Sequence, residues 1–238
     1  FSQAMQGQDL TVYGDGSQQY DFISASIGIH PCDVHYDTES LPEFRSIVEK
    51  TENKIELIWW LEELYLKNKK HIVALWETGL DYYHNNSKDL KIIQQAYFEA
   101  HIALAKKYSL PIIIHNRDSK DDVFQILQKT NFKNFIFHCY SEDLTYAQKL
   151  IEFAPDCKIS FSGIVTFKNA PNTHETAKHI PLKNILVETD APYLTPVPYR
   201  GKEENEPGFT KYSLEKIIEL RDEPRDEIIE TIFKNSCE

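Results

Sequence analysis

The sequence predicts an α/β fold, a (β/α)8 barrel with the first one or two strands absent or incomplete in this chain. Three observations predict it. Short apolar runs alternate with longer amphipathic stretches from Ala25 onward. The stretches between the runs are long enough to serve as crossovers between parallel strands. The runs end in ligand-type side chains, as core strands do at the active end of a barrel. Apolar runs near residues 25, 71, 111, 134, 157 and 184 account for six strands, so the deficit against eight falls before Ala25.

Residues 1–24 are atypical, crowded with Gln and Gly, and only Leu10–Tyr13 there reads as a strand. Ala25–Ile29 is the first regular strand and stops at His30-Pro31. A helical stretch over Pro42–Lys69 follows, in two pieces broken near Asn53. His71–Trp76 is a strand that runs into Glu77-Thr-Gly79-Leu-Asp81. Lys88–Tyr108 is a helix, since Ile93, Ala96, Tyr97, Ala100, Ala103 and Leu104 recur at helical spacing. Pro111–His115 is a strand with proline where it is tolerated, at the first residue. Asp118 is placed to cap a helix over Asp121–Thr130. Asn134–His138 is a strand and Leu144–Phe153 a helix. Cys157–Phe161 is a strand, and a short helix before Ile180 leads to the strand Asn184–Val187, which ends in the acid pair Glu188 and Asp190. A proline-rich loop over Ala191–Gly208 precedes helices over Thr210–Leu220 and Arg225–Phe233. No repeat of fixed period and no linker interrupts this order, which predicts a single domain over residues 1–238.

Composition sets bounds on function. The chain has 238 residues, 41% hydrophobic and 26% charged, as soluble globular proteins do. A net charge of −11 excludes a broad basic surface for gripping nucleic acid, so a polyanionic substrate needs local help from metal ions or a few cationic side chains. The four cysteines form no CxxC pair and read as reduced thiols, which predicts a cytoplasmic protein, or a nuclear one in a eukaryote. No apolar run is long enough to span a membrane.

The candidate chemistry stands at the carboxyl ends of the strands: His30, Glu77, His115, His138 and Asp190. In a parallel barrel these ends share one mouth. Imidazoles and carboxylates brought together there make a mixed N/O site suited to Zn²⁺, Mn²⁺ or similar ions.

At this point a resemblance appears. Ser26-Ile-Gly-Ile-His30-Pro31, Glu77-Thr-Gly-Leu-Asp81-Tyr-Tyr, Leu110-Pro-Ile-Ile-Ile-His115-Asn-Arg117-Asp118, Phe137-His138-Cys-Tyr-Ser141, Ser160-Phe-Ser-Gly163, Glu188-Thr-Asp190-Ala-Pro-Tyr-Leu and Arg200-Gly-Lys-Glu-Glu-Asn205-Glu206-Pro207 resemble, in order, the motifs of the TatD family. Those proteins are metal-dependent deoxyribonucleases on an amidohydrolase-like TIM barrel. The resemblance implies catalytic roles for Asp190 and Glu77, and metal ligation by Glu77, His115, His138 and Asp190. Glu77 would be shared between metals, and Asp190 would orient or deprotonate the attacking water. It implies substrate binding by His30, Arg117, Tyr140 and Arg200, and a mouth-shaping loop at Asn205-Glu206-Pro207. The cofactors it implies are one or two divalent ions, Mg, Mn or Zn.

Two departures stand out. The family has glycine before its Glu, where this chain has Trp76. The family opens on a strand bearing His-x-His, yet no His precedes His30 here, and His30 and His35 are too far apart to replace that pair. The expectation is that this strand lies outside the given residues rather than lost from the gene. The expected function is hydrolysis of DNA phosphodiester bonds with metal-activated water, as an exonuclease and a monomer. The alternatives are an ester or amide hydrolase, such as a deacylase of misacylated tRNA, and a barrel scaffold with a degraded site.

Overall fold

The computed structural model describes residues 24–34, 41–84 and 86–237. The expected atypical front, with its strand at Leu10–Tyr13, lies outside the described residues, as does His35. The chain divides into two compact units, Phe1–Phe135 and Ile136–Glu238. Strands and helices alternate in both, as the apolar runs predicted.

The first unit holds β1 (Ala25–Ile27), α1 (Leu41–Lys50), α2 (Trp59–Asn68), β2 (Ile72–Asp81), α3 (Lys88–Tyr108), β3 (Ile112–Arg117) and α4 (Lys120–Thr130). The predicted break near Asn53 is a 3-10 turn over Lys54–Ile58 between α1 and α2. β1, β2 and β3 pair in parallel. β2 corrects the sequence reading, because it runs on through Glu77 to Asp81 instead of stopping at Trp76. Gly79 makes that extension possible. It pairs with His115, and a Cβ at Gly79 would stand 2.0 Å from the His115 carbonyl oxygen, on a residue with φ of 144°. Only glycine tolerates that approach. β3 likewise continues past His115 to Arg117.

Asp118 does not cap α4. It adopts φ 54°, and Ser119 takes the cap position without a side-chain capping bond. The Ser119 hydroxyl donates instead to the Leu80 carbonyl at 2.8 Å, which ties the start of α4 to β2.

α3 has the predicted bounds. Ser87 caps it by accepting from the Leu90 amide at 3.2 Å, and Ser109 ends it in the left-handed region. Its buried face includes Ile93, Ala96, Phe98, Ala100 and Leu104, and also two polar residues, Gln94 and His101. Gln94 binds both backbone groups of Asp81, accepting from its N–H at 2.8 Å and donating to its carbonyl at 3.1 Å. His101 sits at Tyr97 Oand Ile29 N: Nδ1 donates to the Tyr97 carbonyl at 2.7 Å, and Nε2 accepts from the Ile29 amide at 3.1 Å. α3 thereby fixes the chain on either side of the strand ends.

The second unit holds the body of β4 (Phe135–Phe137), then α5 (Leu144–Phe153), β5 (Lys158–Phe161), α6 (Pro171–His179), β6 (Ile185–Val187), α7 (Thr210–Leu220) and α8 (Arg225–Cys237). β4, β5 and β6 pair in parallel. The pairing runs one residue past β6, where the Glu188 amide donates to the Phe161 carbonyl at 3.1 Å, and the side chains of His138 and Glu188 stand just beyond β4 and β6. Phe137, Tyr140, Tyr146 and Phe161 form an aromatic cluster beneath.

Burial of His101 pushes its pKa down to about 4 from an ordinary 6.5, against the weaker raising effect of the Tyr97 carbonyl. The unfolded chain therefore takes up the proton first as pH falls. The stabilising effect of the neutral ring is complete above pH 6.5 and is lost on the way down to about 4. Urea unfolding at pH 7 and pH 5 should show the parent losing roughly 2 kcal/mol more than His101→Gln over that interval. An equal loss in both proteins would remove this account of the residue.

Candidate functional site

In the first unit, extended β2 places Glu77 and Asp81 four residues apart, on one face of the strand. His115 of β3 lies between them. Its Nδ1 is 2.7 Å from Glu77 Oε1 and its Nε2 3.1 Å from Asp81 Oδ2. Burial alone would lower the His115 pKa, but hydrogen bonds to Asp81 and Glu77 raise it overall. Burial would likewise raise Asp81, and the bonds from His115 and from the His84 amide and ring outweigh it, holding the carboxyl below the usual carboxylate range.

His30 joins this group from the end of β1. Its Nε2 is 3.3 Å from His115 Nδ1, and its Nδ1 accepts from the Cys32 amide at 3.1 Å. Burial and then the neighbouring His115 lower its pKa. With Nδ1 occupied as an acceptor, a neutral His30 carries its proton on Nε2, facing the His115 nitrogen that also faces Glu77. Protons crowd a space toward which two imidazole nitrogens and a carboxylate converge. A divalent cation in place of those protons satisfies all three donors, so the residues fit a metal ion.

In the second unit His138 is held in a similar way. Its Nδ1 is 2.8 Å from Glu188 Oε2 and its Nε2 3.4 Å from Asp190 Oδ1. Glu188 also accepts from the Cys139 amide at 2.7 Å and the Ser160 hydroxyl at 2.6 Å. A carboxylate on Nδ1 fixes the tautomer and aims Nε2 outward, the arrangement that supports a metal-ligating histidine. Asp190 is half-buried, on a backbone with φ 61°. The buried Asn205 steadies its loop by donating to the Thr189 and Tyr193 carbonyls, each at 2.6 Å. Burial pushes the Cys139 thiol up to about 12, with His138 opposing the rise and Glu188 and Asp190 adding to it.

The remaining predicted residues divide. Arg117 is exposed at the end of β3, its guanidinium stacked 4.1 Å from the ring centroid of Tyr83. Arg200 is exposed and lies over Phe167 at 3.7 Å. Tyr140 is a correction. It is 1% exposed and its hydroxyl donates to the Asp143 carbonyl at 2.7 Å, so it packs the aromatic cluster and presents nothing to a substrate. Asp81, Glu188, Cys32 and His84 received no role from the sequence. The first two were legible in principle, since each shares a strand end with an expected ligand.

Comparison with known proteins extends these findings. A family profile described as "TatD related DNase" matches residues 10–238. A Bacillus subtilis protein named "Uncharacterized metal-dependent hydrolase YabD" is 39% identical over 221 residues, covering 92% of this chain and 78% of its own length. The similarly named YcfH of Escherichia coli is 35% identical over 219 residues, covering 90% of this chain and 72% of its own. Among solved structures, YJJV, a TatD homologue from Escherichia coli, matches with a TM-score of 0.76 at 25% identity, over 96% of this chain and 80% of that one. A TatD-family hydrolase from Entamoeba histolytica matches with a TM-score of 0.71 at 19% identity, over 95% of this chain and 78% of that one. These likenesses confirm the predicted α/β barrel class; six of its strands lie in the described residues.

Glu188→Ala should weaken divalent metal binding by roughly 10–100-fold, because His138 then loses the group that orients it. Isothermal titration of parent and variant with Mn²⁺ and Zn²⁺ checks this. Unchanged affinity for both ions would mean that Glu188 serves only the backbone of Cys139.

Proposed function

This chain belongs to the TatD family of metal-dependent hydrolases, and from that premise we propose that it hydrolyses phosphodiester bonds of DNA. The observation that carries the substrate class is the Arg117–Tyr83 pair beside His115. A guanidinium stacked on an exposed aromatic ring offers a charge for phosphate and a flat face for a base. The chain's net charge of −11 makes such local cations the means of holding a polyanion.

Glu77 and His115 in one unit, and His138 and Asp190 in the other, are the proposed metal ligands. Their mixed nitrogen and oxygen donors suit Zn²⁺ or Mn²⁺, with Mg²⁺ the less matched choice because it prefers oxygen. When bound, such an ion supplies Lewis-acid stabilisation of phosphoryl charge and acidifies water. The chain's own residues do the rest. Asp190 accepts the proton of the attacking water. Glu188 keeps the His138 ring in one orientation. His30 stands with Glu77 and His115, and Arg117 positions phosphate. Arg200 is a further phosphate contact. The free cysteines support a reducing compartment, and we place the protein in the cytoplasm as a monomer. Among the described residues no helix is long and apolar enough to cross a membrane. Ester or amide hydrolysis is the second reading, since the same kind of site serves it, but the Arg117–Tyr83 pair favours phosphate.

Purified protein should degrade DNA only with added divalent metal, and Asp190→Asn should cut turnover at least ~100-fold. Cleavage that survives exhaustive chelation, or full activity in Asp190→Asn, would overturn the assignment.

Arg117→Ala should raise KM for DNA more than it lowers kcat, because a phosphate contact made in the ground state persists through the reaction. Steady-state kinetics on a defined oligonucleotide decide this. An unchanged KM would leave Arg117 a structural partner of Tyr83.

A further inference from the structure

Next to the Glu77–His115 contact, and wholly within the first unit, lies a second set of donors. Cys32 Sγ, a carboxylate oxygen of Asp81 and a ring nitrogen of His84 all stand within 4.8 Å of one another. We propose that these three residues form a separate binding site for a borderline divalent cation such as Zn²⁺. This goes beyond the hydrolytic reading, which assigns no role to Cys32 or His84.

The donors are of three kinds, a thiol, a carboxylate and an imidazole, and each is a zinc ligand type. Ligand atoms about 2.0–2.3 Å from a tetrahedral ion stand roughly 3.3–3.8 Å apart. The three donors, all within 4.8 Å of one another, need to draw in by no more than roughly 1–1.5 Å to reach that spacing. His84 Nδ1 and Asp81 Oδ2, now at 2.9 Å, need only part slightly as the ion replaces the proton between them.

The site is also built to hold its shape. Asp81 is 1% exposed, and Gln94 fixes its backbone from both sides. Its Oδ1 accepts from the His84 amide at 2.8 Å, which sets the turn that carries the third donor. The Cys32 amide is held by His30 Nδ1 at 3.1 Å, which fixes the backbone behind the thiol. His84 closes the group from outside, with its side chain 51% exposed, and leaves an entry path. A preformed carboxylate, fixed backbones on both flanking donors and access from solvent are what a metal site requires.

The thiol sets this group apart from the nitrogen and oxygen donors of Glu77 and His115. Sulfur selects softer ions than those donors do. Asp81 Oδ2 also contacts His115 Nε2, so an ion held at Cys32, Asp81 and His84 competes for the carboxylate that now orients His115. On binding, the thiol proton leaves to solvent and the sulfur binds as thiolate.

The test uses Co²⁺ in place of Zn²⁺ and reads the near-ultraviolet sulfur-to-cobalt charge-transfer band. Nitrogen and oxygen ligands do not give that band, so the result is independent of DNA hydrolysis. The full chain should develop it. Cys32→Ser should abolish it, His84→Gln should raise the apparent Kd for Co²⁺ at least 10-fold, and Cys139→Ala should leave it unchanged. His84 is exposed, so its replacement reports on binding without perturbing a packed core. A parent without the band, or a band retained in Cys32→Ser, would overturn the proposal. So would an unchanged Kd in His84→Gln or loss of the band in Cys139→Ala.

Discussion

An imidazole can present one nitrogen to a cation only if something holds the rest of the ring. Here each unit supplies a histidine bracketed by two carboxylates. His115 lies between Glu77 and Asp81, and His138 between Glu188 and Asp190. The carboxylates favour one of the staggered positions open to each ring. The order of the other nearby groups depends on this. Glu188 can orient His138 only because it also holds the Cys139 amide and the Ser160 hydroxyl, which fix the carboxylate itself.

The carboxylates are in turn fixed by neutral groups. Gln94 clamps the backbone of Asp81, Asn205 ties the loop on either side of Asp190, and His101 holds the Ile29 amide beside His30. Amides and a neutral imidazole suit this work. They satisfy buried backbone groups without adding a charge that would compete with the ligands or require its own partner. Gly79 contributes by lacking a side chain, since any Cβ would force β2 away from the His115 backbone. A rigid support of this kind would let the site keep its geometry as a cation exchanged.

Much of this was legible in the sequence. The alternation of apolar runs and amphipathic stretches located the strands and the bounds of Lys88–Tyr108 and Leu144–Phe153, because hydrophobic period is a local property. Ligand-type residues at the predicted strand ends pointed to His115 and His138, which the structure sets against carboxylates. What escaped was tertiary. The run of β2 through Glu77 to Asp81 depends on how closely Gly79 lets two backbones approach, which residue order does not encode. Asp118 looked like a cap, yet Ser119 takes the cap position without a side-chain capping bond, and its hydroxyl donates to the Leu80 carbonyl, a partner far away in sequence. Tyr140 sits beside His138 in the chain, but its hydroxyl turns to Asp143 because its ring is needed among Phe137 and Phe161.

Charge imposes an order on the proposed activity. In each unit a central imidazole faces two carboxylates, with His30 and His84 beside the first pair, so the group is net negative even when the central ring is protonated. The whole chain adds to this with a net charge of −11. A phosphodiester brought to such a place meets like charge at short range, where screening by salt is weakest. The exposed guanidiniums of Arg117 and Arg200 offset little of it. On the proposed reading, divalent ions would have to bind before a phosphate could be held there. The carboxylates that would repel the substrate are the ones that would retain those ions, which would link metal affinity and substrate affinity through the same side chains.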